Sequence, residues 1–252
     1  MFKRKALIVG YDAADHPYET TLYSIEDDIN KYKKYLMSPK GGAWEDKDEI
    51  EVFNNVPLSF LMDIRENIKD EKPDVALIIV TGHGSYSQKC RCRKFQLNKH
   101  ETVCEQNLVG IAPKEIFIWD SCSNIVSESI QISEKLIDIE VDKILKEEVY
   151  EKAKKIYEHK CSLCKPQCTR LYASKIDTSA QDIDGGVYTS ALLEVAEKNS
   201  EIDIYNAHFK AKKIVENITA RSEYGIQEPS IMFDRSIKQF LPWAINVESN
   251  RV

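Results

Sequence analysis

Long apolar runs are missing from this sequence. It begins M-F-K-R-K-A-L-I-V-G, a basic start followed by only four consecutive apolar residues, too few for the core of a secretory signal. No later run approaches the roughly 20 residues of a membrane-spanning helix. These absences predict a cytoplasmic protein with no membrane association. Positive charge is in deficit too: 35 Lys and Arg against 41 Asp and Glu give a net charge of -6, which argues against a direct nucleic-acid partner. There is no internal repeat and no low-complexity tract. No acidic run has the spacing of a calcium loop, so the sequence leaves calcium dependence open.

What is present suits a soluble globular protein. The 252 residues, 42% apolar and 30% charged, can bury a sizeable core in one large domain or two small ones. Seven cysteines are many for a cytosolic chain. Cys122 stands alone, and the others form two groups, Cys90, Cys92 and Cys104, then Cys161, Cys164 and Cys168. An odd number without a secretion signal points to thiol or metal chemistry rather than a disulfide framework.

The hydrophobic pattern alternates strand and helix through the first half. Lys5–Gly10 reads as a buried strand. Ser24 and Asp27 form a capping pattern that opens a helix to about Met37, with Ile25, Ile29, Tyr32 and Leu36 on one face. A strand at Glu49–Asn54, a helix at Leu58–Lys69 and a buried strand at Asp74–Thr81 follow. This order implies parallel pairing with helical crossovers. Gln88–Gln106 is a polar, Cys-rich insertion, and Glu115–Trp119 is the next central strand. Ser133–Lys160 reads as one long helix capped by Ser133 and ending at the second cysteine group. A short strand at Arg170–Ser174, helices at Val187–Lys198 and near Ile204–Thr219, and a closing strand at Pro229–Phe233 complete the pattern, followed by a mobile tail.

Two strand ends carry chemistry. L-I-I-V-T-G-H-G-S ends with His83 between two glycines, and I-F-I-W-D-S-C-S-N ends with Asp120 and Cys122. Open α/β sheets place their sites at the carboxyl ends of parallel strands. Acyl transfer through cysteine needs a thiolate, a histidine to take and return a proton, and N–H donors for the oxyanion. A nearby imidazolium lowers a thiol from about 8.5 into the neutral range. Cys122 as nucleophile, His83 as acid/base and the backbone N–H groups of Gly84 and Cys122 as donors meet that requirement. The plainer alternative makes Cys122 a small buried hydrophobe and His83 a turn residue.

The motifs T-G-H-G-S and W-D-S-C-S resemble the paired signatures of caspase-like cysteine peptidases, particularly metacaspases and their bacterial relatives. The resemblance extends to A-L-I-V-G at the first strand, Y-L-M-S-P-K-G-G-A-W after the first helix, and A-S-K-I-D-T-S-A-Q-D with G-G-V-Y-T-S-A-L-L in the second half. Ser123-Asn124 departs from what commonly follows the family's cysteine. The resemblance implies an α/β fold, a caspase-like three-layer sandwich whose mainly parallel sheet has helices on both faces. Residues 1–252 are expected to form one peptidase domain: a large-subunit-like part to about 127, a helical Cys-bearing connector over 128–169, and a small-subunit-like part over 170–252.

By the same resemblance the protein is a cysteine endopeptidase, with Cys122 as nucleophile and His83 as general acid/base. Alternation along an extended chain puts Asp120 on the side of Cys122, and the Asp of D-x-C motifs selects Arg or Lys before the scissile bond. A second substrate-binding carboxylate is assigned to Asp177, one position off the family's pattern, with Asp182 as the weaker candidate. The competing reading has Asp120 capping a helix or binding loop amides. The chemistry requires no cofactor. Cys90, Cys92, Cys104, Cys161, Cys164 and Cys168 are candidate ligands of a structural zinc joining the two groups near the site, with a redox-sensitive thiol set and unconnected free thiols as alternatives. The lysine-rich connector suggests self-cleavage, although a stable helix would resist it. Partners implied are a protein substrate with Arg or Lys at its cleavage site and an activating or inhibitory protein in a defence or cell-death pathway. The rival function is a non-catalytic caspase-like scaffold with a structural zinc or redox cluster.

Overall fold

The computed structural model describes residues 2–121, 143–176, 178–182 and 185–248. Its strands are β1 (Arg4–Tyr11), β2 (Ile50–Asn54), β3 (Val75–Gly82), β4 (Gly84–Ser87), β5 (Cys92–Gln96), β6 (Thr102–Cys104), β7 (Lys114–Ser121), β8 (Gln167–Tyr172), β9 (Ile202–Asp203), β10 (Ser230–Met232) and β11 (Pro242–Ala244). Its helices are α1 (Ile25–Met37), α2 (Asp46–Glu49), α3 (Leu58–Asp70), α4 (Lys143–Leu163), α5 (Val187–Lys198) and α6 (Ile204–Thr219).

The central sheet has the order β10-β8-β7-β3-β1-β2, parallel except for β10, which runs antiparallel to β8. Continuous apolar runs mark strands covered on both faces, and β3 is buried along its whole length. Each Val, Leu or Ile so buried contributes about 1.5–3 kcal/mol. One face packs against α1, α4, α5 and α6 through Ile29, Tyr32, Ile156, Leu192 and Ala211. The other packs against α3 and a small antiparallel sheet, β4-β5-β6, through Leu61, Phe95, Leu97 and Val103. Three layers result, as the sequence pattern and its resemblance imply.

Buried Arg4 pins the start of β1 to two other elements. Its guanidinium pairs with Glu49 at 2.6 Å, donates to the Gly42 carbonyl at 2.7 Å and lies over the rings of Trp44 and Tyr157. No helix of the described residues is long and apolar enough to cross a membrane.

Several local expectations change. Ser24 does not cap α1; its hydroxyl donates instead to Asp182 Oδ2 at 2.5 Å, 158 residues away. The Cys-rich insertion is an ordered three-stranded sheet because its apolar residues Phe95, Leu97 and Val103 join the core. The long helix runs on to Leu163, so Cys161 lies inside it; its expected start at Ser133 lies outside the described residues. The tail is not loose as far as Ile245: Leu241, Trp243, Ala244 and Ile245 are buried, and Trp243 Nε1 donates to the Leu192 carbonyl.

Candidate active site

The site begins with strand register. Parallel pairing of β3 with β7 sets Thr81 beside Asp120 and Gly82 beside Ser121. Both chains therefore reach the carboxyl edge of the sheet together, one residue before His83 and Cys122 respectively. Cys122 itself lies outside the described residues, as does Asp177. Gly82 has φ +140, and a Cβ there would stand 2.3 Å from the Tyr11 carbonyl oxygen. Only glycine lets β3 pass β1 so closely on the way to the histidine.

His83 Nε2 lies 2.8 Å from the Thr20 carbonyl oxygen. A carbonyl only accepts, so this contact places the proton on Nε2 and leaves Nδ1 basic. The Tyr11 ring sits edge-on to the imidazole, with centroids 6.2 Å apart. On the far side of His83, Gly84 opens β4 opposite Phe95, and the Gln96 N–H donates to the His83 carbonyl. The histidine is thus held between the sheet edge, the 12–23 loop and the small sheet.

Beside it opens an acidic cleft. Asp28, Thr81, Gly82, Asp120, Ser121, Asp182 and Gly186 line it, with Leu22 and Ile25 supplying apolar wall. Asp120 is 6% exposed, and its Oδ2 accepts from both the N–H and the hydroxyl of Thr189 in the first turn of α5. Asp120 thus meets the competing expectation, binding the first turn of α5, and it also lines the cleft. Burial pushes its carboxyl up to about 7, with neighbouring Asp28 adding to the rise and the Thr189 bonds opposing it. Asp28, 1% exposed, accepts the Gly186 N–H at 2.8 Å and pairs with Lys31 at 3.1 Å; burial raises it too. A Cβ on Gly186 would come within 2.8 Å of Asp120 Oδ2 and 2.9 Å of Asp28 Oδ2, so glycine keeps the space between the two carboxylates open. Asp182 accepts from Ser24 and from the Gly185 N–H.

Asp28, Thr20 and Gly186 are contributors that sequence reasoning missed. Asp28 left one trace: at i+3 from Ile25 and i-4 from Tyr32, it is an acid set into the apolar stripe of α1. Thr20 acts through its backbone and leaves no residue-type signal.

The two cysteine groups do not meet. Cys90, Cys92 and Cys104 converge, with all three Sγ atoms within 4.8 Å of one another. Cys90 is exposed, and its thiol is lowered to about 7, chiefly by its bond with Cys92; Cys92 is raised to about 12, chiefly by burial. The second group is dispersed, which corrects the expectation of a shared zinc. Cys161 and Cys164 pack into the core on the α4 face, Cys164 with its Sγ toward backbone carbonyls, while Cys168 packs against the opposite face. Burial raises all three thiols, Cys168 to about 11. They also lie near the amino ends of β7 and β8, where Lys114 Nζ donates to the Cys161 carbonyl, at the sheet edge opposite His83.

The sequence matches the model of the caspase domain over residues 3–241. The chain belongs to the caspase family. A structural comparison agrees on the fold: the crystal structure of caspase-1 from Spodoptera frugiperda aligns with a TM-score of 0.62 and 14% identity, covering 98% of this chain and 92% of that one. A comparison with curated protein sequences finds no match. Membership of the caspase family makes this a cysteine peptidase domain.

Proposed function

We propose that this caspase-family protein is an endopeptidase that cleaves after Arg or Lys through an acyl-enzyme on Cys122. The observation that supports the specificity is the cleft in which buried Asp120 and Asp28 face the same space beside His83. A guanidinium or ammonium entering it would meet two carboxylates held in place by backbone and hydroxyl donors, a setting where charge-assisted bonds are strong. Asp182 adds a third acid at the rim. Asp177 remains a proposed contributor outside the described residues.

In the proposed reaction Cys122 gives its proton to His83 Nδ1, and the thiolate attacks the carbonyl carbon of the basic residue itself. The N–H groups of Gly84 and Cys122 donate to the oxyanion. His83 returns the proton to the leaving amine as the C–N bond breaks. Water then attacks the thioester, losing a proton to His83, and the regenerated thiol leaves the new carboxyl terminus. No metal or cofactor takes part. The Thr20 carbonyl steers the ring by holding Nε2–H, so that the same nitrogen, Nδ1, serves both steps. Control by a partner protein in a defence or cell-death pathway is carried by the family resemblance.

The test is turnover of fluorogenic peptides bearing Arg, Lys or Asp before the reporter, by wild type, Cys122→Ala and Asp120→Asn. Cleavage after Arg or Lys that vanishes in Cys122→Ala and falls in Asp120→Asn is expected. Equal turnover by wild type and Cys122→Ala would sink the mechanism, and turnover only after Asp would sink the pocket. A scaffold without catalysis would show no labelling of wild type by an Arg-bearing electrophilic peptide.

A further inference from the structure

The small sheet that follows His83 carries a feature the peptidase chemistry does not use. Three sulfurs converge on one point: Cys90 Sγ is 2.6 Å from Cys92 Sγ, and Cys92 Sγ is 2.7 Å from Cys104 Sγ. The three come from separate backbone positions: Cys90 in the β4–β5 turn, Cys92 at the start of β5, and Cys104 at the end of β6. Cys104 pairs across the ladder with Lys94, two residues on from Cys92, so Cys92 and Cys104 are diagonal neighbours. Arg91, between the first two cysteines, has φ +51, a backbone state rarely adopted by residues other than glycine, asparagine and aspartate.

We propose that Cys90, Cys92 and Cys104 form a thiolate site for a single soft divalent cation, zinc in the first instance, which staples the β4-β5-β6 sheet beneath the catalytic histidine. Thiolate sulfur selects zinc over the hard cations. Two sulfurs on a tetrahedral zinc with bonds of about 2.3 Å stand ~3.8 Å apart, so loading requires the sulfurs to spread by only about 1 Å. Exposed Cys90, on a turn, can supply that movement. Three thiolates around a divalent ion leave one surplus negative charge, which the neighbouring Lys89, Arg91 and Lys94 in the sequence would offset. Three protein ligands leave the fourth position for water or an incoming ligand.

The consequence for the enzyme follows from connectivity. The Gln96 N–H, on β5, holds the His83 carbonyl, and β4 starts at the residue after His83. Arg93 on the same strand donates to the Ser174 carbonyl at 3.0 Å and stacks on Tyr172 at the end of β8. A metal that fixes the turn end of this sheet therefore also steadies the segment from which His83 hangs.

The experiment measures metal directly, so it is independent of peptidase activity. Full-length protein, purified under reducing conditions from zinc-supplemented cells, is expected to carry about one zinc per chain by mass spectrometric metal analysis. Cys92→Ser and Cys104→Ser should lose it, and Cys168→Ser should retain it. Cobalt(II) added to stripped wild-type protein should give sulfur-to-cobalt charge-transfer absorption with tetrahedral d–d bands, a readout that needs no variant to fold. Wild type with neither stoichiometric zinc nor a thiolate–cobalt spectrum overturns the proposal. So does metal retained in both variants. Loss of 2 Da in unreduced protein, with no metal bound, overturns it in favour of a disulfide switch.

Discussion

Asp120 combines three features in one carboxylate: it stands near the end of a buried strand, accepts from the first turn of α5 and lines the cleft. Its raised pKa has a defined sign. The unfolded chain ionises Asp120 near 4 and the folded chain near 7, so this residue makes folding progressively less favourable as pH rises between those values. Asp120→Asn keeps the acceptor for Thr189 and removes the ionisation. Its Tm is expected to exceed that of wild type at pH 8, by about 5 °C, and to match it near pH 4, as read by thermal melts. Function should move the other way. Agmatine, a small guanidinium that can fill the cleft without reaching the nucleophile, is expected to bind wild type more tightly as pH rises through about 7. The asparagine variant should bind it at least ~30-fold more weakly at pH 8. A variant equal to wild type in agmatine affinity would remove Asp120 from the specificity pocket.

At the scale of elements, legibility divides along a physical line. β1, β3 and β7 announce themselves because a strand covered on both faces must be apolar throughout, and the glycines around His83 mark a strand that ends in a turn. The β4-β5-β6 sheet was hidden. Its strands are three to five residues long and half exposed, with Lys, Arg and Cys around the few apolar anchors, so no period rises above the polar background. Asp182 and Ser24 meet only through folding, and no local pattern could pair them. Besides these apolar anchors, Arg93 fastens the hidden sheet to the main one. Arg93→Ala removes both the bond to Ser174 and the stacking on Tyr172, and should cost about 1–3 kcal/mol. The expected signature is local: faster hydrogen exchange across 84–104 and a lower kcat/KM. Uniformly faster exchange throughout the chain would show instead that Arg93 serves global stability.

For the whole molecule, the question is whether the proposed cleavage after lysine would extend to the protein's own lysine-rich connector. A peptidase binds extended chain, and α4 withholds it. Lys152, Lys154, Lys155 and Lys160 all lie in this helix, which buries Ala153, Ile156 and Tyr157 against the central sheet's α1 face. The Tyr157 ring packs so closely on Gly42 that a Cβ there would approach within 2.6 Å, and it meets Trp44 edge-on beneath Arg4. Lys154 is engaged by Glu45, and Lys160 by Glu201 at 2.7 Å. Wild-type protein held at high concentration should therefore show, by intact mass, no fragment cut after any of these four lysines. Tyr157→Ala supplies the contrast. Loss of a buried aromatic costs about 3–5 kcal/mol, most of it from the seam between α4 and the sheet, so local opening of α4 becomes frequent enough for a second molecule to bind it. Fragments ending at Lys152, Lys154, Lys155 or Lys160 are expected in this variant and should be absent when Cys122→Ala is added. Cuts at those lysines in wild type would mean that α4 opens readily despite its packing. Cuts in the double variant would trace the cleavage to a contaminating protease rather than to Cys122.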